Sequence, residues 1–175
     1  MFKGQYRIWM PRPSSLVLSP YHHMGEPDII VPNTVPNAGE EDFLQAIFQN
    51  VFPIAGGANF HVGLCNQAPA ETDTHASITT EPTVGTNGYA RQTIPRNATG
   101  WPTIATVNGH KSIRSTTETF TASGGNFDAA ITRAYLCDAA SGTSGALFSY
   151  SGALTAELTV LDGQSFQMQY ECYLD

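Results

Sequence analysis

Ser144 sits in the run Ser-Gly-Thr-Ser-Gly-Ala-Leu, where a serine next to glycine raises the question of covalent catalysis. A nucleophile elbow needs one residue between the serine and the glycine that follows, and a strand-to-helix turn to expose the hydroxyl. Here Gly145 follows Ser144 directly and the flanking pattern is that of strands, so Ser144 reads as a turn residue. The five histidines come next. His22 and His23 are adjacent and point to opposite sides of an extended chain. His61 falls opposite Phe60 and Val62, His75 lies in a polar stretch, and His110 follows Asn108-Gly109. None has the spacing of a metal pair, and no nearby acid completes a facial triad. Glu118, Glu157 and Glu171 lie on the polar sides of strand-like runs. Two of them across a cleft would be the minimum for glycoside hydrolysis; otherwise they form a solvated face. Cys65, Cys137 and Cys172 are odd in number, lack a CxxC and sit in apolar runs. They fit neither a disulfide framework nor a zinc site, and read as buried thiols of a chain folded in a reducing compartment. Trp101, Tyr89 and Tyr150 could stack on a sugar or anchor a core or interface, and the sequence leaves both open. No catalytic, cofactor or metal set is expected, and no enzyme.

The elements that would carry these residues are mostly strands. Phe166, Met168, Tyr170 and Cys172 alternate with Gln167, Gln169 and Glu171, the period of a half-buried strand. The same period places Phe60, Val62 and Leu64 on one face, and Leu154, Ala156, Leu158 and Val160 on another. Further strand-like runs are YARQTI, TIATV, SIRSTTETFT, DAAITRAYL and ALFSYS. Turn signals separate them: Asn87-Gly88, Asn108-Gly109, Gly124-Gly125-Asn126, Ser141-Gly142 and Asp162-Gly163. About eight short strands at this spacing predict an all-β fold, an antiparallel β-sandwich or jelly roll. One short helix is expected after Pro36. Asn37 caps it, Glu40 completes a capping-box pair, and Phe43, Leu44, Ile47, Phe48 and Val51 form its apolar stripe. The polar stretch Asn66 to Gly88 is long for a loop, which suggests a functional or docked segment.

The first 36 residues have a different character. Six of the eleven prolines lie between Pro11 and Pro36, among apolar residues that a solvated linker would not carry. Residues 1–36 are therefore expected to be an extended arm, and residues 37–175 the helix and sandwich. Ordering such an arm costs about 1 kcal/mol or more per residue. Each apolar anchor recovers roughly 1.5–3 kcal/mol when buried on a partner. The anchors are Tyr6, Trp9, Leu16, Leu18, Tyr21, Ile29 and Ile30, and Lys3, Arg7 and Arg12 make the front of the arm basic. The alternative is an arm folded back over its own sandwich as edge strands.

Net charge is −7, and the arginines are scattered singly, which argues against tracking nucleic acid. No run of about 18 apolar residues is present to cross a membrane, and no secretory signal is expected.

Order along the chain adds a resemblance. FLQAIFQNVF leads to FHVGLCNQAP, then VGTNGYARQTIP, then FDAAITRAYLCDAASGTSGALFSYSGALTAELTVLDGQSF. This succession, over residues 40 to 175, resembles small structural proteins of tailed bacteriophages, of the head-decoration (cement) or tail-fibre-like kind. The matching residues include Tyr89, Arg91, Asp138, Gly142, Leu147, Leu154 and Gly163, which carry turns and packing. The resemblance implies a β-sandwich that oligomerises on a virion. The expected function is a cement protein, made in the host cytoplasm, that stabilises the outer surface of the phage head by bridging capsid subunits. Its partners would be the major capsid protein and sibling decoration subunits, as a homo-oligomeric dimer or trimer. A tail-fibre or receptor-binding domain reading host glycans is the alternative, and a carbohydrate-active jelly-roll module the second.

Overall fold

The computed structural model describes residues 2–9, 29–36, 59–107 and 110–174. Ten strands are present among them. They are β1 (Phe2–Trp9), β2 (Ile29–Thr34), β3 (Asn59–Cys65), β4 (Gln92–Pro95) and β5 (Thr103–Val107), then β6 (His110–Arg114), β7 (Glu118–Thr121), β8 (Arg133–Cys137), β9 (Leu147–Ser151) and β10 (Ser165–Leu174). A single 3-10 turn, His75–Ser77, is the one helical element among them. No helix among the described residues is long and apolar enough to cross a membrane.

All pairings are antiparallel, in the order β4-β3-β8-β9-β2-β1-β10-β6-β5, with β7 also on β10. The strands form two sheets that meet at β2. Its first part pairs β1 from Gln5↔Pro32 to Ile8↔Ile29, and its end pairs β9 through Asn33↔Ser151 and Thr34↔Tyr150. Pro32 stands where the strand changes partner. Proline brings no N–H to a ladder, and its carbonyl accepts from Gly152 N. The all-β, two-sheet sandwich agrees with the sequence. This order does not by itself spell out the winding of a jelly roll, and the expected helix lies outside the described residues.

The long strand β10 serves several neighbours. On one side it pairs β1 over eight residues, Phe2↔Leu174 to Trp9↔Gln167. On the other, β7 takes Ser165–Met168 and β6 takes Glu171–Tyr173. Alternation puts Phe166, Met168, Tyr170 and Cys172 into the core between the sheets, beside Tyr6, Ile8, Phe120, Leu64, Ile94 and Leu136.

Several sequence expectations need correcting here. SIRSTTETFT is two strands, because Ser115 N turns to Tyr170 O and Thr116 N to Gly100 O, breaking the run. The run Leu154–Val160 is not a strand. It bonds to the segment before β8 through an isolated bridge, Leu158 to Ile131, and through Leu154 N to Thr132 O, and Ala156 is exposed while Leu154, Leu158 and Val160 are buried. Phe2–Trp9 and Ile29–Thr34 of the expected arm are strands of the chain's own sheets, and they are inner rather than edge strands. The physical reason is that β10 carries an apolar face too long for β6 and β7 to complete, and β1 completes it with Tyr6 and Ile8.

Candidate functional site

The residues singled out for the arm divide by place. Tyr6 is fully buried; its ring meets Tyr170 edge-on at 5.0 Å and its hydroxyl lies 3.2 Å from Ser149 Oγ. Arg7 donates to Glu171 at 2.7 Å. Ile30 is 52% exposed. Lys3, Trp9 and Ile29 fall within β1 and β2, whereas Arg12, Leu16, Leu18 and Tyr21 lie outside the described residues.

Glu171 is not on a solvated face. It is 1% exposed and accepts hydrogen bonds from Gln5 (2.7 Å), Arg7 (2.7 Å) and Arg114 (3.1 Å). Burial alone would raise its pKa, but these three partners outweigh burial and hold it below the usual value. A carboxylate so engaged is neither a free general acid nor a nucleophile. Glu118 accepts from Thr116 Oγ1 at 2.6 Å, and Glu157 is exposed.

His75 and Ser144 do meet, but not as base and nucleophile. His75 Nδ1 lies 3.0 Å from the main-chain oxygen of Ser144, which can only accept. His75 is fully buried despite its polar surroundings in sequence, and His61 is buried beside Thr93 Oγ1 at 3.1 Å. Burial, then Arg91, lowers the pKa of both histidines. Among the described residues no group of three His, Cys, Asp or Glu is placed to hold a metal. Cys65, Cys137 and Cys172 are free and buried. Burial pushes the first two thiols up to about 11 and the third to about 12.

The sugar platform is not formed. Tyr89 and Tyr150 are buried. Trp101 instead packs edge-on against Phe60 and Tyr170, each at 5.9 Å, along a groove of about 470 Å³. Phe60 from β3, Phe148 from β9, and Ile104 and Ile113 from β5 and β6 line it, with the Arg96 guanidinium 5.1 Å from the Phe60 ring centre. The Asn97–Trp101 turn forms its rim. Asn97 Oδ1 accepts from Thr99 N and Gly100 N at 2.8 and 3.1 Å, and Asn97 O accepts from Trp101 N.

At the other side of β8 the sequence motifs converge. Arg91 donates to Glu81 through Nε and Nη2 (2.8 and 2.6 Å), and to the carbonyls of Ala139 and Gly142 at 2.8 Å each. Its guanidinium lies over the Tyr135 ring. Tyr89 Oη donates to the same Glu81 and accepts from Leu64 N. Asp138 Oδ1 accepts from Ala146 N at 2.8 Å. The long loop is thereby docked on its neighbour. Gln67 pins its base, accepting from Thr79 N and Thr80 N and donating to Ser77 O. Sequence reasoning named Tyr89, Arg91, Asp138 and Gly142 but not Glu81, the partner that Tyr89 and Arg91 share. The signal available was a lone acid beside Pro82 in a polar loop, which carries no information about distance.

No curated protein matches this sequence significantly. Residues 34–171, from the end of β2 into β10, match the family described as Podophage GP4 fiber I protein gp80, and the chain belongs to that family of phage virion structural proteins.

Proposed function

We propose that the chain is a non-enzymatic fibre-type subunit of a podophage virion. The family match across both sheets carries this reading. The geometry supports it in a general way: rigid antiparallel sheets carry load through many short ladder bonds, and the polar residues that could have served chemistry are engaged in holding loops and strands. In this reading the partners are sibling copies, as a dimer or trimer. Arg12, Leu16, Leu18 and Tyr21, between β1 and β2 in sequence, keep their assignment as contacts to a neighbouring subunit. Head decoration with the major capsid protein as partner, the function expected from the sequence, takes second place because the family is one of fibres.

Copy number in purified particles tests the choice, by quantitative mass spectrometry against the major shell protein. A handful of copies per particle is the expected result. A number close to that of the shell subunit moves the protein to the head, and absence from the particle overturns both readings.

A further inference from the structure

The loop between β3 and β4 and the loop between β8 and β9 are fastened at two points. One is the Arg91 guanidinium, tied to Glu81 and to the carbonyls of Ala139 and Gly142. The other is His75, at the 3-10 turn. Because Ser144 O can only accept, Nδ1 carries the proton, and a neutral ring then has its lone pair on Nε2. Nε2 is buried and has no hydrogen-bond partner, as is Tyr135 Oη, whose ring lies 5.8 Å from the imidazole.

The charges around this ring leave no room for another. Arg91 is positive and lies over the ring of the same Tyr135. The acids in reach are Glu81 and Asp138, the first occupied by Arg91 and Tyr89 and the second by Ala146 N. A proton on Nε2 would add a buried N–H without an acceptor and a second cation near Arg91, both unfavourable.

We propose that His75 is a neutral-form latch joining the turn His75–Ser77 to the loop around Ser144, and that proton uptake at Nε2 releases the two from each other. The direction of the histidine's pKa agrees: burial first, then Arg91, lowers it from 6.5, against opposing contributions from Ser144 O, Glu81 and Asp138. Release is local: the second fastener, Arg91 on Glu81 and on the carbonyls of Ala139 and Gly142, does not pass through His75, so the sheets are untouched. In the released state the ring is solvated and titrates near its ordinary value. Each pH unit below 6.5 therefore favours release by roughly tenfold, until the latched ring itself titrates.

Amide hydrogen exchange on the full chain, corrected for the intrinsic effect of pH on exchange, tests this. Protection at Ser77 N, Ile78 N and Asp138 N, all bonded in these loops, should fall as pH drops below about 6.5, by at most roughly tenfold per unit. Protection in β3 and β8 should not change. In His75→Asn the side-chain amide still donates to Ser144 O and does not titrate, so the fall should vanish; His61→Asn should retain it. A flat profile in the wild-type chain, or an equal fall in His75→Asn, overturns the latch. Ring nitrogen shifts of His75 in the wild-type protein give a test independent of any variant. A proton on Nδ1 and a midpoint below 6.5 support the latch, and a midpoint at or above 6.5 overturns it.

Discussion

Glu171 shows how little a residue's place in a pattern says about its surroundings. In the alternating run of β10 it occupies a polar position, yet it is as deeply buried as the apolar side chains of the core. Its neighbours come from β1 and β6, which supply Gln5, Arg7 and Arg114. Removing the charge leaves two arginines facing a neutral group. Glu171→Gln should therefore lower stability by about 2 kcal/mol at neutral pH. The pH dependence follows from the sign of the shift. A carboxyl held below 4.5 in the folded state contributes stability that is complete above that value and is lost as pH falls through the lower, folded one. Chemical denaturation between about pH 7 and pH 3 should show this acid loss in the wild-type protein, and a smaller loss in Glu171→Gln. Equal acid losses in the two would remove Glu171 as the cause.

Strands β3 and β8 illustrate the element scale. Gly63 pairs with Tyr135 across the ladder, and the Tyr135 ring lies directly over the glycine. A Cβ at Gly63 would stand 2.3 Å from Tyr135 Cζ, closer than any real contact. The ring is fully buried beneath Arg91 and cannot swing away. Gly63→Ala should cost about 2–3 kcal/mol through overpacking, with an unchanged denaturant slope. A neutral result would mean that the ring has somewhere to go. Strand β1 makes a comparable point with a large residue. Tyr6 fills the space beside Tyr170 and reaches Ser149 on β9, so one side chain couples the two sheets. Its position in a proline-rich stretch had suggested contact with a neighbour, because nothing local in that stretch could bury it.

At the scale of the whole molecule, the first and last strands close the fold on each other. β1 lies between β2 and β10, outside the range of the family match, and yet belongs to the core. Deleting residues 1–9 would strip β10 of eight paired residues and remove Tyr6 and Ile8, each burying roughly 1.5–3 kcal/mol of apolar surface. Against a net stability of about 5–15 kcal/mol for a domain, the expected outcome is loss of the cooperative thermal transition. A truncated chain that melts cooperatively but no longer assembles would instead assign the N-terminal strand to contacts between subunits.

Local chemistry was enough for the sequence to determine the class of fold. Period-two alternation in β3 and β10, and turn pairs such as Asn87-Gly88, where both residues adopt positive φ, are properties of neighbours along the chain. So too is the mismatch between Ser144-Gly145 and a nucleophile elbow. What the tertiary structure alone decided were the meetings between distant segments: Arg7 and Arg114 on Glu171, Glu81 on Arg91, His75 on Ser144, and β1 beside β10. Ladder pairing and burial act through space, and two-residue periodicity states which side a residue faces but not which strand lies next to it. The same limit explains Leu154–Val160, whose alternation signalled burial correctly at Leu154, Leu158 and Val160 but not at Ala156, and a strand incorrectly. Apolar residues can reach a core from an irregular segment when its N–H groups find partners elsewhere, here in the carbonyls of Thr132 and Ile131.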